Sequence, residues 1–179
     1  MITFKRITQT SSDLYKYAEQ LLQVSFPKEE YRDLEELKQF IESKPCFHFN
    51  VIEKDGKPIG LMTYWIFDTF CYAEHFAIDP SLRNGGYGKE AIAHLCKTLT
   101  LPLVLEVEAP ETEMAQRRIN FYKRQGLVLW DNPYQQPPYR PGYPFLPMYI
   151  MAYGCLNPDT DFEHIKKTIY REVYQTEED

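Results

Sequence analysis

Residues 75–95 read HFAIDPSLRNGGYGKEAIAHL, and the reading of this stretch decides the fold. It runs from an apolar strand pattern through the Asp79-Pro80 corner into Gly85, Gly86 and Gly88, and then into Ile92 and Leu95 at helical spacing. Glycine lets a backbone turn through positive φ and approach a neighbour closely. The first N–H groups of a helix have no intrahelical acceptor and sit at the positive end of its dipole. Strand, glycine turn and helix start in that order form a cradle for an anionic group, phosphate above all.

Working outward, the residues before this stretch alternate as strands. Phe47, Phe49 and Val51 face one way, the Asp55-Gly56 pair marks a hairpin, and residues 59–67 return from it. A short turn at Asp68-Thr69 leads into the strand over 71–78, giving an antiparallel run of strands. Further upstream, Ile2, Phe4 and Ile7 suggest a first strand, and Ser11 and Ser12 cap a helix carrying Leu14, Tyr17, Ala18, Leu21 and Leu22. Phe26-Pro27 stops that helix, and a second one over 33–42 uses Leu34, Leu37, Phe40 and Ile41.

Downstream, the branched residues of 103–107 make a strand, and a helix over 112–124 presents Ala115, Ile119 and Tyr122 before Gly126 ends it. Strands follow over 127–130 and 145–153. Between them the proline-dense segment 131–144 reads as a long loop carrying Tyr134, Tyr139 and Tyr143. Phe162, Ile165, Ile169 and Val173 define an amphipathic C-terminal helix over 158–175. The pattern predicts an α/β (α+β) fold: one domain over 1–179, a mixed, mostly antiparallel sheet of about seven strands, and flanking helices.

Composition sets the class. A chain of 179 residues can bury a sizeable core, and a net charge of -6 disfavours a protein that lives on nucleic-acid backbones. Cys46, Cys71, Cys96 and Cys155 are far apart and lack histidines at ligand spacing, so free thiols are expected, with no metal. The N-terminus has no long apolar core, and no run is long enough to span a bilayer. These features point to a cytoplasmic protein without a membrane or nucleic-acid partner. The oligomeric state, monomer or homodimer, is left open.

The glycines satisfy more than one pattern. Gly86-Tyr87-Gly88-Lys89-Glu90-Ala91 matches a permissive dinucleotide fingerprint, but residues 79–85 separate it from its strand, and antiparallel hairpins precede it. A Walker loop fails because Glu90 follows Lys89. Read from Arg83, however, Arg83-Asn84-Gly85-Gly86-Tyr87-Gly88 resembles the acetyl-CoA pyrophosphate loop of the GNAT superfamily of acyltransferases. Residues 117–127, RRINFYKRQGL, resemble that family's second signature, and the order of elements is similar too.

This resemblance implies an acetyl-CoA-dependent N-acetyltransferase acting on a primary amine by direct attack. It implies that Asn84, Gly85, Gly86, Tyr87, Gly88 and Lys89 hold the pyrophosphate with help from Arg83, and that Phe76, Ala77 and Ile78 pair with the pantetheine arm. It implies that Tyr122 is the general acid, and a phenol with an ordinary pKa of about 10 suits that role. For the base, Glu106 ranks first and Glu74 second, with Glu108 on the same strand face as Glu106. Two departures weaken any transfer of peptide specificity: Ala115 stands where many members carry asparagine, and the connection from Glu106 to Tyr122 is longer than in N-terminal acetyltransferases. Acceptor recognition is expected from 26–33 and from the tyrosine-rich loop, and a small-molecule amine is favoured over a peptide. The alternative is a non-catalytic acyl-CoA-binding sensor or structural module of the same fold.

Overall fold

A computed structural model describes residues 1–177. Strand β1 (Ile2–Arg6) is followed by α1 (Asp13–Ser25), where the Ser12 side chain accepts the Tyr15 N–H as an N-cap. Asp33 caps α2 (Leu34–Ser43) in the same way, accepting from Glu35. Strands β2 (Phe47–Lys54) and β3 (Lys57–Ile66) are joined by Asp55 and Gly56, whose φ values of 51° and 78° are those of a tight primed turn. Next come β4 (Cys71–Ile78), α3 (Tyr87–Thr98), β5 (Leu103–Glu108) and α4 (Glu113–Lys123). The chain closes with β6 (Val128–Leu129), β7 (Tyr134–Gln136), β8 (Leu146–Tyr153) and α5 (Pro158–Glu172).

The strands form one sheet in the order β1-β2-β3-β4-β5-β8-β6, with β7 also paired to β8. Every pair is antiparallel except β4 with β5. Alternation along the strands sends side chains to two cores. On one face α1, α2 and α5 bury Leu22, Phe40 and Ile169 against Phe49 and Trp65; on the other, α3 and α4 bury Leu95 and Ile119 against Met62 and Leu103. Each fully buried aliphatic side chain is worth roughly 1.5–3 kcal/mol. Gly60 on β3 is tightly packed against β4: a Cβ there would sit 2.5 Å from the Ala77 carbonyl oxygen.

The sheet has eight strands, and the additional one lies in the segment read from sequence as loop. Pro133 and Pro137 flank Tyr134–Gln136 without interrupting it, and a short edge strand tolerates prolines at its ends. Among the described residues, no helix is long and apolar enough to cross a membrane.

Candidate active site

The glycine turn is built from local devices. Asp79 Oδ1 accepts the Ser81 N–H at 2.9 Å and the Ser81 hydroxyl at 2.6 Å, fixing a 3-10 turn over Pro80–Leu82. Arg83 Nε donates to the Ile78 carbonyl at 3.3 Å. Asn84 and Gly86 adopt φ of 68° and 79°. At Gly86 a Cβ would meet nothing within 4 Å, so glycine is needed there for the backbone angle rather than for space. The first backbone bond of α3 runs from Glu90 N to Gly86 O, which leaves the Tyr87, Gly88 and Lys89 N–H groups without helical acceptors. Residues 83–86 and Lys89 are exposed, so this donor set faces outward and suits an anion.

A bulge and a parting of strands set the rest. In the β3–β4 ladder Thr63 opposes His75 and Tyr64 opposes Ala73, so Glu74 is an extra residue on β4. Alternation is broken there, and Glu74 and His75 both lie on the α1/α2/α5 side: Glu74 meets Arg32 and Trp65, and the His75 ring lies against Phe26 and Tyr139. The parallel ladder between β4 and β5 spans only Cys71–Leu103 to Ala73–Leu105. Beyond it β4 stays with β3 through Ile78, and β5 stays with β8 through Glu108. The two strands therefore separate where Glu74 and Glu106 begin, and the β5-facing edge of 74–78 has no strand across it.

The two carboxylates live in different surroundings. Glu74 Oε1 accepts Arg32 Nη2 at 2.5 Å and the Tyr139 hydroxyl at 3.0 Å, while Oε2 accepts Trp65 Nε1 at 2.8 Å. Both partners of the ion pair are buried, with side chains 3% and 0% exposed. Burial is the largest influence on Glu74 and disfavours its charge, but the Arg32 guanidinium, His75 and the Trp65 hydrogen bond together hold the pKa below its ordinary value. Arg32 in turn lies 4.4 Å from the Phe40 ring centroid and donates to Val173 O at 3.3 Å. Among the described residues, Glu106 has no cationic partner of this kind. Its Oε1 accepts the Tyr134 hydroxyl, and its Oε2 accepts Gln136 Nε2 at 2.5 Å, Tyr174 at 2.7 Å and Tyr72 at 3.0 Å. Burial pushes its pKa up despite these four donors.

Tyr122 projects from α4 into the opposite core with Ile119, Leu105 and Val107, and its ring meets Phe121 edge-on at 5.2 Å. Burial pushes its pKa up to about 12, against a smaller pull from Arg118. Glu106 and Tyr122 thus approach the parted strands from opposite faces of the sheet. A cavity of about 110 Å3 opens on the Glu106 side, lined by Phe26, Glu30, His75, Glu108 and Arg118 among others. A larger cleft, about 860 Å3, lies along β7, β8 and α5 but includes none of Glu74, Glu106 and Tyr122. Among the described residues, no three His, Cys, Asp or Glu side chains are grouped to hold a metal ion.

The structure brings the sequence-derived residues to one region. Phe76, Ala77 and Ile78 end β4, residues 83–89 turn into α3, and Glu74 and Glu106 face each other across the parting. Sequence reading missed Arg32, Tyr72, Gln136 and Tyr174. Tyr134 and Tyr139 stood out only as members of a tyrosine-rich segment, and nothing local marked Arg32.

A model of the acetyltransferase (GNAT) family matches residues 12–127. A solved structure from Bacteroides thetaiotaomicron, assigned to the GNAT family as an acetyltransferase, is 51% identical, covers 98% of this chain and 99% of its own, and superposes with a TM-score of 0.96. A spermidine N-acetyltransferase chimera from Vibrio cholerae and hSSAT is similar in fold, at 15% identity, 85% and 94% coverage and a TM-score of 0.61. So is a Bacillus subtilis acetyltransferase in complex with CoA, at 12% identity, 87% and 98% coverage and a TM-score of 0.56. No curated protein matches the chain. The family model and the extended likeness to the Bacteroides protein place this chain in the GNAT family of acetyltransferases.

Proposed function

We propose that this enzyme transfers the acetyl group of acetyl-CoA to a primary amine of a small molecule, with Glu106 as base and Tyr122 as acid. The observation that carries the reading is the parting of β4 and β5 after Ala73 and Leu105, with a carboxylate on one face and a phenol on the other. Acetyl-CoA supplies the activated thioester. The outward N–H groups of Tyr87, Gly88 and Lys89, together with the turn from Arg83 to Gly86, suit its pyrophosphate. The unpaired edge of Phe76, Ala77 and Ile78 suits the amides of its pantetheine arm, as one strand suits another.

The lone pair of the neutral amine forms the new C–N bond at the thioester carbonyl carbon, Glu106 Oε1 takes the proton that the now positively charged nitrogen sheds, and the C–S bond breaks with its electron pair leaving on sulfur. Tyr122, protonated at neutral pH, delivers its proton to the leaving sulfur. Glu74 is the weaker candidate for base, because the buried ion pair with Arg32 favours its charged form and lowers its proton affinity. The cavity of about 110 Å3 beside Glu106 favours a compact acceptor. The single sheet running from β1 to β8 supports treating 1–179 as one catalytic unit.

Acetyl-CoA-dependent release of free thiol across a panel of small amines and peptides tests this. Turnover of small amines that is lost in Glu106→Gln is the expected result. Activity confined to peptide N-termini would overturn the acceptor class, and binding of acetyl-CoA without any transfer would favour a sensor.

A further inference from the structure

Among the described residues, Glu106 stands apart from the other acids because four neutral donors, and no cation, engage it. They come from three places distant in sequence: Tyr72 on β4, Tyr134 and Gln136 on β7, and Tyr174 just beyond α5. The donors are unequally shared. Oε2 accepts three of them, whereas Oε1 accepts only Tyr134 and keeps a lone pair for a substrate proton. Gln136 Nε2 also donates to the Tyr174 oxygen at 2.8 Å, so these two side chains brace one another.

We propose that Gln136 and Tyr174 are positioning residues for the base: they saturate Glu106 Oε2, fix the carboxylate's orientation, and leave Oε1 as the proton acceptor. The proposal rests on the reading of Glu106 as base. It gives a catalytic purpose to two parts of the chain that lie outside the segment matched by the family model, the proline-dense connection and the end of α5.

Besides Gln136 and Tyr174, the charged and titratable groups around Glu106 are the two other tyrosine donors and groups that do not bond to it. From β4 come Tyr72 and Glu74, and Glu74 is occupied by Arg32; from the connection before β8 come Tyr134 and Tyr139. Across the cavity stand Glu30, His75, Glu108 and Arg118, and Arg118 lies 3.4 Å from Glu108. Hydrogen bonds to the charged form favour that form, so deleting one makes the carboxylate easier to protonate.

The deciding measurement is the titration of the Glu106 carboxyl by 13C NMR in the full-length, ligand-free protein, with its resonance assigned by its loss in Glu106→Gln. Tyr174→Phe and Gln136→Met are each expected to raise the midpoint by about one pH unit. Tyr15→Phe, which removes a buried hydroxyl bonded to Glu19, should leave it in place. The acid limb of kcat/KM, measured with acetyl-CoA and the panel amine turned over fastest, should move with the midpoint while KM for acetyl-CoA stays constant. A midpoint unmoved in folded variants would overturn the proposal. Should Tyr174→Phe fail to fold, Gln136→Met on the edge strand carries the same test. Wild-type turnover by Glu106→Gln would instead remove the base reading beneath it.

Discussion

Glu74 and Glu106 sit on adjacent strands at the same level of the sheet, and their proton affinities move in opposite directions: burial raises both, the polar neighbours lower both, and the neighbours win only at Glu74, where one of them is a cation. Glu74 is held charged by a guanidinium that is itself packed among aromatic rings. Removing one partner of a buried ion pair strands the other, at a cost of about 3–5 kcal/mol. Arg32→Met should therefore lower the urea midpoint sharply, and adding Glu74→Gln should restore much of the loss, because no uncompensated charge remains. Sign matters for pH. The folded pKa of Glu74 is depressed, so its contribution to stability is present above its unfolded value and disappears as pH falls through the folded one. That acid-side loss should be reduced in the double variant, as followed by circular dichroism. Tyr122 makes a separate prediction. Tyr122→Phe keeps the ring packing with Phe121 and removes only the hydroxyl, so on the proposed acid role kcat should fall by about 10²-fold or more while acetyl-CoA affinity by calorimetry stays the same.

The element that matters most is β4 with the turn that follows it. Its bulge at Glu74 reverses which face each side chain takes, so that Glu74 and His75 share a side, and it coincides with the end of pairing to β5. At the far end of the strand, the turn depends on Gly86 holding φ of 79°. An alanine there meets no atom but must adopt a left-handed conformation, which costs about 1–2 kcal/mol. Gly86→Ala is expected to lower stability by that amount and to weaken CoA binding more than it affects any other property, as a titration calorimeter would show. Loss of stability with unchanged CoA affinity would mean that the turn is structural only. The turn was legible in sequence because its signals are local: the Asp79-Pro80 corner and the closely spaced glycines. The bulge was not, since it is a mismatch between two strands and neither strand alone encodes it.

At the scale of the whole molecule, α5 packs on the same core as α1 and α2, burying Phe162, Ile165 and Ile169, and the residues just past it reach Arg32 and Glu106. Trp65 lies in that core beside Glu74, while Trp130 hydrogen-bonds through its backbone to β8. If the chain is one cooperative unit, tryptophan fluorescence and far-ultraviolet circular dichroism should report a single coincident urea transition. Two separated transitions would instead divide the C-terminal helix from the rest. By itself the sequence determined the helices and every strand but β7, the cap of the first helix, the glycine turn and the family resemblance, because periodicity, capping and turn chemistry act over a few neighbouring residues. Tertiary structure alone decided what surrounds the carboxylates. Arg32 reaches Glu74 across 42 residues, and Tyr174 reaches Glu106 across 68. Such contacts exist only once the sheet has brought distant segments together, and the same folding sets the dielectric and the donors that fix each proton affinity.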